Sequence, residues 1–301
     1  MQIYRINPNL IAFYFGGDSA SDNPNLNVTV EENWEAGCEA LGVASYVVHN
    51  GNCALVYDTL CSPKQAALIR EYLEKELGSE KITVVLSHWH LDHVGGNQLY
   101  ADCNIIATRK TRDYLLQYQP DIEAGTLWGK PGVNPLHLPD IALAADTSIF
   151  LNGLEVRLLT FHIHTDDGLC AFIPQYHALL PGDMLEDSAS FITNPENIPV
   201  HVKELRRMRE LDIKKILPNH GRSFVIEQGG YGPELIDCVS HYLEYLYSTL
   251  QQNPAASIPP LQETLAPYFR QGLIHYWPPY ETVHRNNVEK VRALFKQGNL
   301  H

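Results

Sequence analysis

Residues 87–93 read Ser-His-Trp-His-Leu-Asp-His, followed by Val94, Gly95, Gly96 and Asn97. Three imidazoles and a carboxylate so close together, directly after the apolar run ITVVL (82–86), are poor core material. Their chemistry suits metal binding, because imidazole nitrogens and carboxylate oxygens are ligands for zinc and similar divalent ions. In extended backbone, side chains two apart share a face. His88 and His90 are therefore expected to grip one ion, with Asp92 and His93 turned toward a second. Two metals need more donors, and the chain offers them after other apolar runs. These are His162 and His164 in FHIHTDDG, Asp183 in LLPGDML and His220 in ILPNHG. Convergence from separate strand ends is how a rigid scaffold displays a site on its loops.

The elements that must carry these donors are legible as strands covered by helices. IYRI, LIAFYF, ASYVVHN and CALVYDT alternate or run apolar, with Asn-Pro and Asn-Gly turns between them. Residues 16–37 are polar and turn-rich and predict a long loop of the kind that often serves as a lid. In SPKQAALIREYLEKEL, Ser62 is the expected N-cap and Pro63 the first helical residue. Leu68, Ile69, Tyr72, Leu73 and Leu77 then recur at helical spacing. ITVVLS and NIIAT predict strands, RKTRDYLLQY a helix, and 120–145 an irregular, Pro-rich segment. Asn152-Gly153 joins SIFL to LEVRLLTF in a hairpin. Strands LCAFIP and HALLPGD, a helix over 201–211 and a strand KKILP follow. From about Pro233, two long amphipathic helices flank a connector rich in proline and aromatics. The expected organisation is a catalytic domain over 1–232 and a helical C-terminal extension, 233–301, packed on it.

Composition narrows the function classes. A chain of 301 residues with 45% hydrophobic content can bury a large core. Its formal charge of −13 disfavours a nucleic-acid ligand, whose binding needs clustered Lys and Arg. No run of eighteen apolar residues predicts a membrane span. Six cysteines without a Cys-x-x-Cys pair, and no secretory leader, predict buried thiols and a cytoplasmic location.

The order His-x-His-x-Asp-His, then His, Asp and His, resembles the metallo-β-lactamase superfamily. HWHLDHVGGN carries the likeness, PGDML is similar to the family's Gly-Asp motif, and LPNHG to its terminal Gly-His-Gly motif. The resemblance implies an α/β fold, a four-layer αβ/βα sandwich of two mixed β-sheets. It also implies one metal held by His88, His90 and His164, a second held by Asp92, His93 and His220, and Asp183 bridging them with a water or hydroxide. His162 is the rival third histidine, since it is expected to share a strand face with His164. Thr165, as in the family's His-Thr motif, favours His164.

The expected activity is that of a metal-dependent hydrolase whose metal-bridging hydroxide attacks an ester, thioester or lactone carbonyl. Asp92 is the expected catalytic proton carrier. The cofactors expected are two divalent ions, zinc first, with iron or manganese as alternatives. Phosphodiester hydrolysis and β-lactam-like amide hydrolysis are alternative reactions; Asp183 argues against the true zinc β-lactamases. A mononuclear iron dioxygenase acting on a persulfide is the alternative of another class. The expected partner is a small-molecule substrate, not nucleic acid or a membrane, with HYWPPY in the tail as a surface for a homo-oligomer. Tyr231, His275, His284 and His177 carry weaker signals and are read first as structural. Trp34 is a candidate substrate wall, and Trp89 is expected to pack away from the metals.

Overall fold

Residues 1–16 and 33–297 are described by the computed structural model of the chain. β1 (Gln2–Asn7) and β2 (Leu10–Phe15) open the fold, and α1 (Trp34–Leu41) leads into β3 (Val43–Asn50) and β4 (Cys53–Tyr57). Next come α2 (Pro63–Lys75), β5 (Lys81–Val85), α3 (Leu91–Val94), β6 (Asn104–Thr108), α4 (Arg109–Ala124) and β7 (Ile141–Leu143). The second half begins with β8 (Thr147–Leu151), β9 (Leu154–Ile163), β10 (Thr165–Ile173) and β11 (Ala178–Leu180). It continues through α5 (Ile198–Arg209), β12 (Lys215–Ile216), α6 (Ser223–Glu227) and α7 (Glu234–Gln252). The chain closes with α8 (Leu261–Thr264), α9 (Ala266–Gln271) and α10 (Tyr280–Gln297).

The strands form two mixed sheets. One runs β1 to β7 in order; the other runs β12-β11-β10-β9-β8. In the first sheet the leading strands pair antiparallel, and β4 to β7 pair parallel across the crossover helices α2 and α4. Strand alternation sorts the side chains into layers. Leu10, Ala12 and Tyr14 of β2 face inward and meet Val156, Leu158, Leu169 and Ala171 of the second sheet. Ile11 and Phe13 face outward and pack with Ile69 and Leu73 of α2 and Leu115 and Ile122 of α4. On the far side, Phe161, Cys170 and Phe172 pack beneath Leu205 of α5, Tyr242 of α7 and Val291 of α10. The result is the expected helix–sheet–sheet–helix sandwich, with the C-terminal helices sharing the core of the second sheet.

Three expectations change. Part of the expected 16–37 loop, residues 17–32, lies outside the described residues. Its end is helical: Asn33 caps α1 by accepting from the Ala36 amide at 3.2 Å, and Trp34, Gly37 and Ala40 are buried. A short helix with one strong cap has little periodicity to read. The helix expected to stop before 120 continues through Pro120 to Ala124, because fully buried Ile122 anchors its last turn and Gly125 closes it at φ 67°. The segment after it also contains β7, a three-residue edge strand too short to show alternation.

Candidate active site at the strand ends

The donors named from sequence lie at one edge of the sandwich. His88 follows β5, His90 caps α3, and Asp92 and His93 occupy its single turn. His164 is the single residue between β9 and β10, at φ +65°. Asp183 sits in a 3-10 turn after β11, and His220 follows β12. Gly95 and Gly96 allow α3 to settle here. A Cβ on Gly95 would stand 2.1 Å from the Cys61 carbonyl oxygen, and one on Gly96 would stand 2.4 Å from that of Thr59.

Two groups of donor atoms form, each with all members within 4.8 Å of one another. One contains His88, His90, His164 and Asp183; the other contains Asp92, His93, Asp183 and His220. Asp183 belongs to both. His93 Nε2 lies 3.1 Å from Asp183 Oδ2, and His220 Nε2 lies 3.0 Å from Asp92 Oδ2. His162, by contrast, joins neither group. The left-handed turn at His164 breaks the strand alternation, and His162 packs instead against His201 at a ring separation of 5.3 Å.

The electrostatics favour a cationic guest. Burial alone would raise Asp92 and Asp183. His93 and His220 outweigh it, holding Asp92 well below the ordinary carboxylate range and Asp183 at about 2. Burial, with neighbouring His164, pushes His90 down to about 3, and burial also lowers His88 and His164. These three imidazoles are neutral at pH 7 and have lone pairs to give. Burial would lower His220 too, but Asp183 and Asp92 lift it to about 9. The same carboxylates, with Asp58, raise His93 well above its ordinary range against its burial, so ionised carboxylates stand beside both imidazoles.

The residues fit divalent metal ions by a test independent of their spacing. Buried His88 Nε2, His90 Nε2 and Asp183 Oδ1 have no hydrogen-bond partner, a costly arrangement unless a ligand satisfies them. Meanwhile Nδ1 of three other imidazoles is fixed from behind. His93 donates to Asp58 Oδ2 at 2.9 Å, His164 to the Phe191 carbonyl at 2.9 Å, and His220 to the Gly42 carbonyl at 2.6 Å. Ser87 Oγ lies 2.9 Å from His88 Nδ1. Metal-binding histidines are oriented in this way, with one nitrogen held and the other presented.

Asp58 is the main residue missed in sequence. It is fully buried, accepts from the Ser87 amide at 2.6 Å and from Asn219 Nδ2 at 2.9 Å, and so ties the ligand-bearing segments around His93 and His220 together. The signal is present, an acid closing the apolar strand CALVYD, the same pattern that singles out Asp183. The Gly42 and Phe191 carbonyls carry no such signal, since every residue has one. Tyr231, read as a turn residue, is buried and donates to Asp187 Oδ2 at 2.7 Å. His275 folds back onto the same carboxylate, its amide 2.8 Å from Asp187 Oδ1. His284 is buried against Tyr242 in the tail, and His177 sits in a left-handed turn beside Asp212. Trp34 is core, its Nε1 donating to the Pro131 carbonyl at 2.9 Å. Trp89 packs between Tyr114, Tyr118 and Trp128. Burial, then nearby Asp92, raises the Cys38 thiol well above its ordinary range, so it is a poor nucleophile.

Comparison with known proteins agrees with this geometry. Residues 38–220 match the sequence profile of the family described as "Metallo-beta-lactamase superfamily". The chain is 24% identical over 162 residues to "Beta-lactamase-like protein 2 homolog" of Caenorhabditis elegans, covering 54% of this chain and 47% of that one. It is 24% identical over 182 residues to "Atrochrysone carboxyl ACP thioesterase" of Aspergillus fumigatus, covering 60% and 51%. The matched region thus spans about half the length of these relatives. Among solved structures, a metallo-beta-lactamase family protein from Thermus thermophilus superposes with a TM-score of 0.63 at 16% identity. That match covers 97% of this chain and 95% of the other, so the likeness of fold includes the C-terminal helices.

Proposed function

We propose that this chain, which belongs to the metallo-beta-lactamase superfamily, is a hydrolase of small-molecule esters, thioesters or lactones that works with two divalent metal ions. His88, His90 and His164 would hold one ion, Asp92, His93 and His220 the other, with Asp183 shared. The observation that carries the reading is the pair of donor groups meeting at Asp183, with buried nitrogens and an oxygen left unpartnered. Zinc suits the nitrogen and carboxylate donors. When bound, such ions acidify water to a pKa of about 7 and polarise a carbonyl.

The chain's own groups supply the rest. Asp58, the Phe191 and Gly42 carbonyls and Ser87 fix the imidazole planes before substrate arrives, so little reorganisation is left for the reaction. Asp92 is the proposed proton carrier: its carboxylate takes the proton lost by the attacking water and returns it to the departing sulfur or oxygen. Atoms balance as hydroxyl on the acyl carbon and hydrogen on the leaving group. A thioesterase among the relatives supports carbonyl over phosphoryl substrates. The 1–232 catalytic unit with its 233–301 extension, a cytoplasmic location and a homo-oligomer through the tail belong to the same proposal. No described helix is long and apolar enough to cross a membrane.

The test is metal quantification on protein purified without added metal, coupled to a panel of thioesters, lactones, phosphodiesters and β-lactams. Two zinc-like ions per chain and preferential turnover of thioesters or lactones are expected. A single iron with no hydrolysis overturns the reading in favour of iron-dependent oxygen chemistry.

A further inference from the structure

We propose that Trp128 and Phe191 are the aromatic walls of a substrate subsite beside the His88–His90–His164 group, and that this subsite takes a flat aromatic acyl group. The proposal rests on the hydrolase reading above and names its substrate class. The Trp128 indole stands edge-on to His90, with ring centroids 4.9 Å apart and planes at 86°, yet 39% of the residue is exposed. Behind it lies a stack of aromatics. Trp89 is 4.8 Å from Trp128 and is itself stacked on Tyr118 at 5.2 Å and 21°. One side of the indole is therefore fixed by packing, while another is left open next to a donor imidazole.

The backbone reinforces this. Trp128 adopts φ +58°, a left-handed conformation that a bulky residue rarely takes. Such a conformation persists where surrounding packing over-determines it, and it clusters at ligand sites. At another imidazole of the group, the Phe191 ring lies 6.2 Å from His164, its carbonyl accepts from that imidazole, and Lys290 Nζ sits 3.8 Å from the ring centroid. In the second donor group the ring contacts of His93 and His220 are to other donor imidazoles, and Asp58, Gly42 and Cys38 border them. The asymmetry places the acyl group over the first group and the leaving group toward the second. Exposed π faces and edges favour an offset or edge-on ring. A rigid ring also loses less conformational entropy on binding than a flexible chain.

The test compares N-acetylcysteamine thioesters of 2-naphthoic and hexanoic acid, using metal-loaded full chain as wild type, Trp128→Leu and Trp128→Phe. The naphthoyl-to-hexanoyl ratio of kcat/KM is expected to fall about tenfold in Trp128→Leu, mainly through KM, and to be largely kept in Trp128→Phe. Titration with 2-naphthoate, followed by tryptophan quenching, is expected to weaken in parallel. Turnover of both thioesters with an unchanged ratio in Trp128→Leu overturns the subsite and leaves the hydrolase reading standing. Absence of turnover, with naphthoate binding that weakens in Trp128→Leu, overturns the hydrolase reading and leaves the subsite. If naphthoate does not bind the wild-type chain, the subsite is overturned.

Discussion

Asp58 carries no place in either donor group, yet it decides how His93 is presented. Its two oxygens accept from the Ser87 amide, His93 Nδ1 and Asn219 Nδ2, all buried. Asp58→Ala strands all three donors and frees the imidazole, so zinc affinity is expected to drop about 10- to 100-fold in a competitive chelator titration. Affinity equal to wild type would remove Asp58 from the site. Asp167 makes a pH prediction at the same scale. Burial raises its carboxyl to about 6, and Thr111 Oγ1 donates to Oδ2 at 2.8 Å. A folded pKa above the unfolded value of about 4 means folding takes up a proton between those limits. The contribution is fully favourable below about pH 4 and is lost as pH rises through 6. Asp167→Asn does not titrate, so its stability relative to wild type is expected to improve by about 2–3 kcal/mol between pH 4 and 7. Parallel pH profiles in chemical denaturation would contradict this.

At the scale of elements, the C-terminal helix α10 reaches into the site through one short segment. Fully buried Asn287 accepts from the Ile192 amide at 2.8 Å and donates to the Ser190 carbonyl at 2.9 Å. Lys290 donates to the Ile192 carbonyl at 2.9 Å. Between these two pinned residues, Phe191 offers the carbonyl that holds His164. Asn287→Ala is expected to cost about 1–3 kcal/mol by leaving buried polar groups unpaired. It should also weaken metal binding, read as a smaller metal-induced rise in Tm than wild type shows. An unchanged metal-induced rise would confine Asn287 to stability. Elements with strong periodicity or turn chemistry are legible in sequence: α2, α7, α10 and the Asn152-Gly153 hairpin. Elements held by a single cap or by three residues of edge pairing, α1 and β7, are not, because tertiary contacts decide them.

Across the whole molecule, the inner faces of the sandwich carry the site as well as the core. Tyr14 and Tyr46 of the first sheet donate to the Gly221 and Pro218 carbonyls at 2.9 and 2.6 Å, bracketing His220. Tyr57 crosses to the Leu169 carbonyl at 2.7 Å and locks the two sheets in register. The donors are legible because each breaks an apolar run at a strand end. Their supports are not, because a backbone carbonyl or a core tyrosine looks the same in sequence wherever it points. The extension is part of this assembly, since Leu235, Tyr242 and Leu246 of α7 share a core with Phe172 and Leu205. A chain ended at Gly232 would expose that apolar face, and a marked rise in binding of a hydrophobic dye is expected. A cooperative melt without dye binding would mean the 1–232 unit folds by itself.

The most direct measurement is metal stoichiometry and thioester turnover in Asp183→Asn beside wild type. Asp183 is the residue both donor groups share. The expected result is a fall from two bound divalent ions to one or none, with hydrolysis lost in step. Two ions retained with undiminished hydrolysis would contradict a shared two-metal centre.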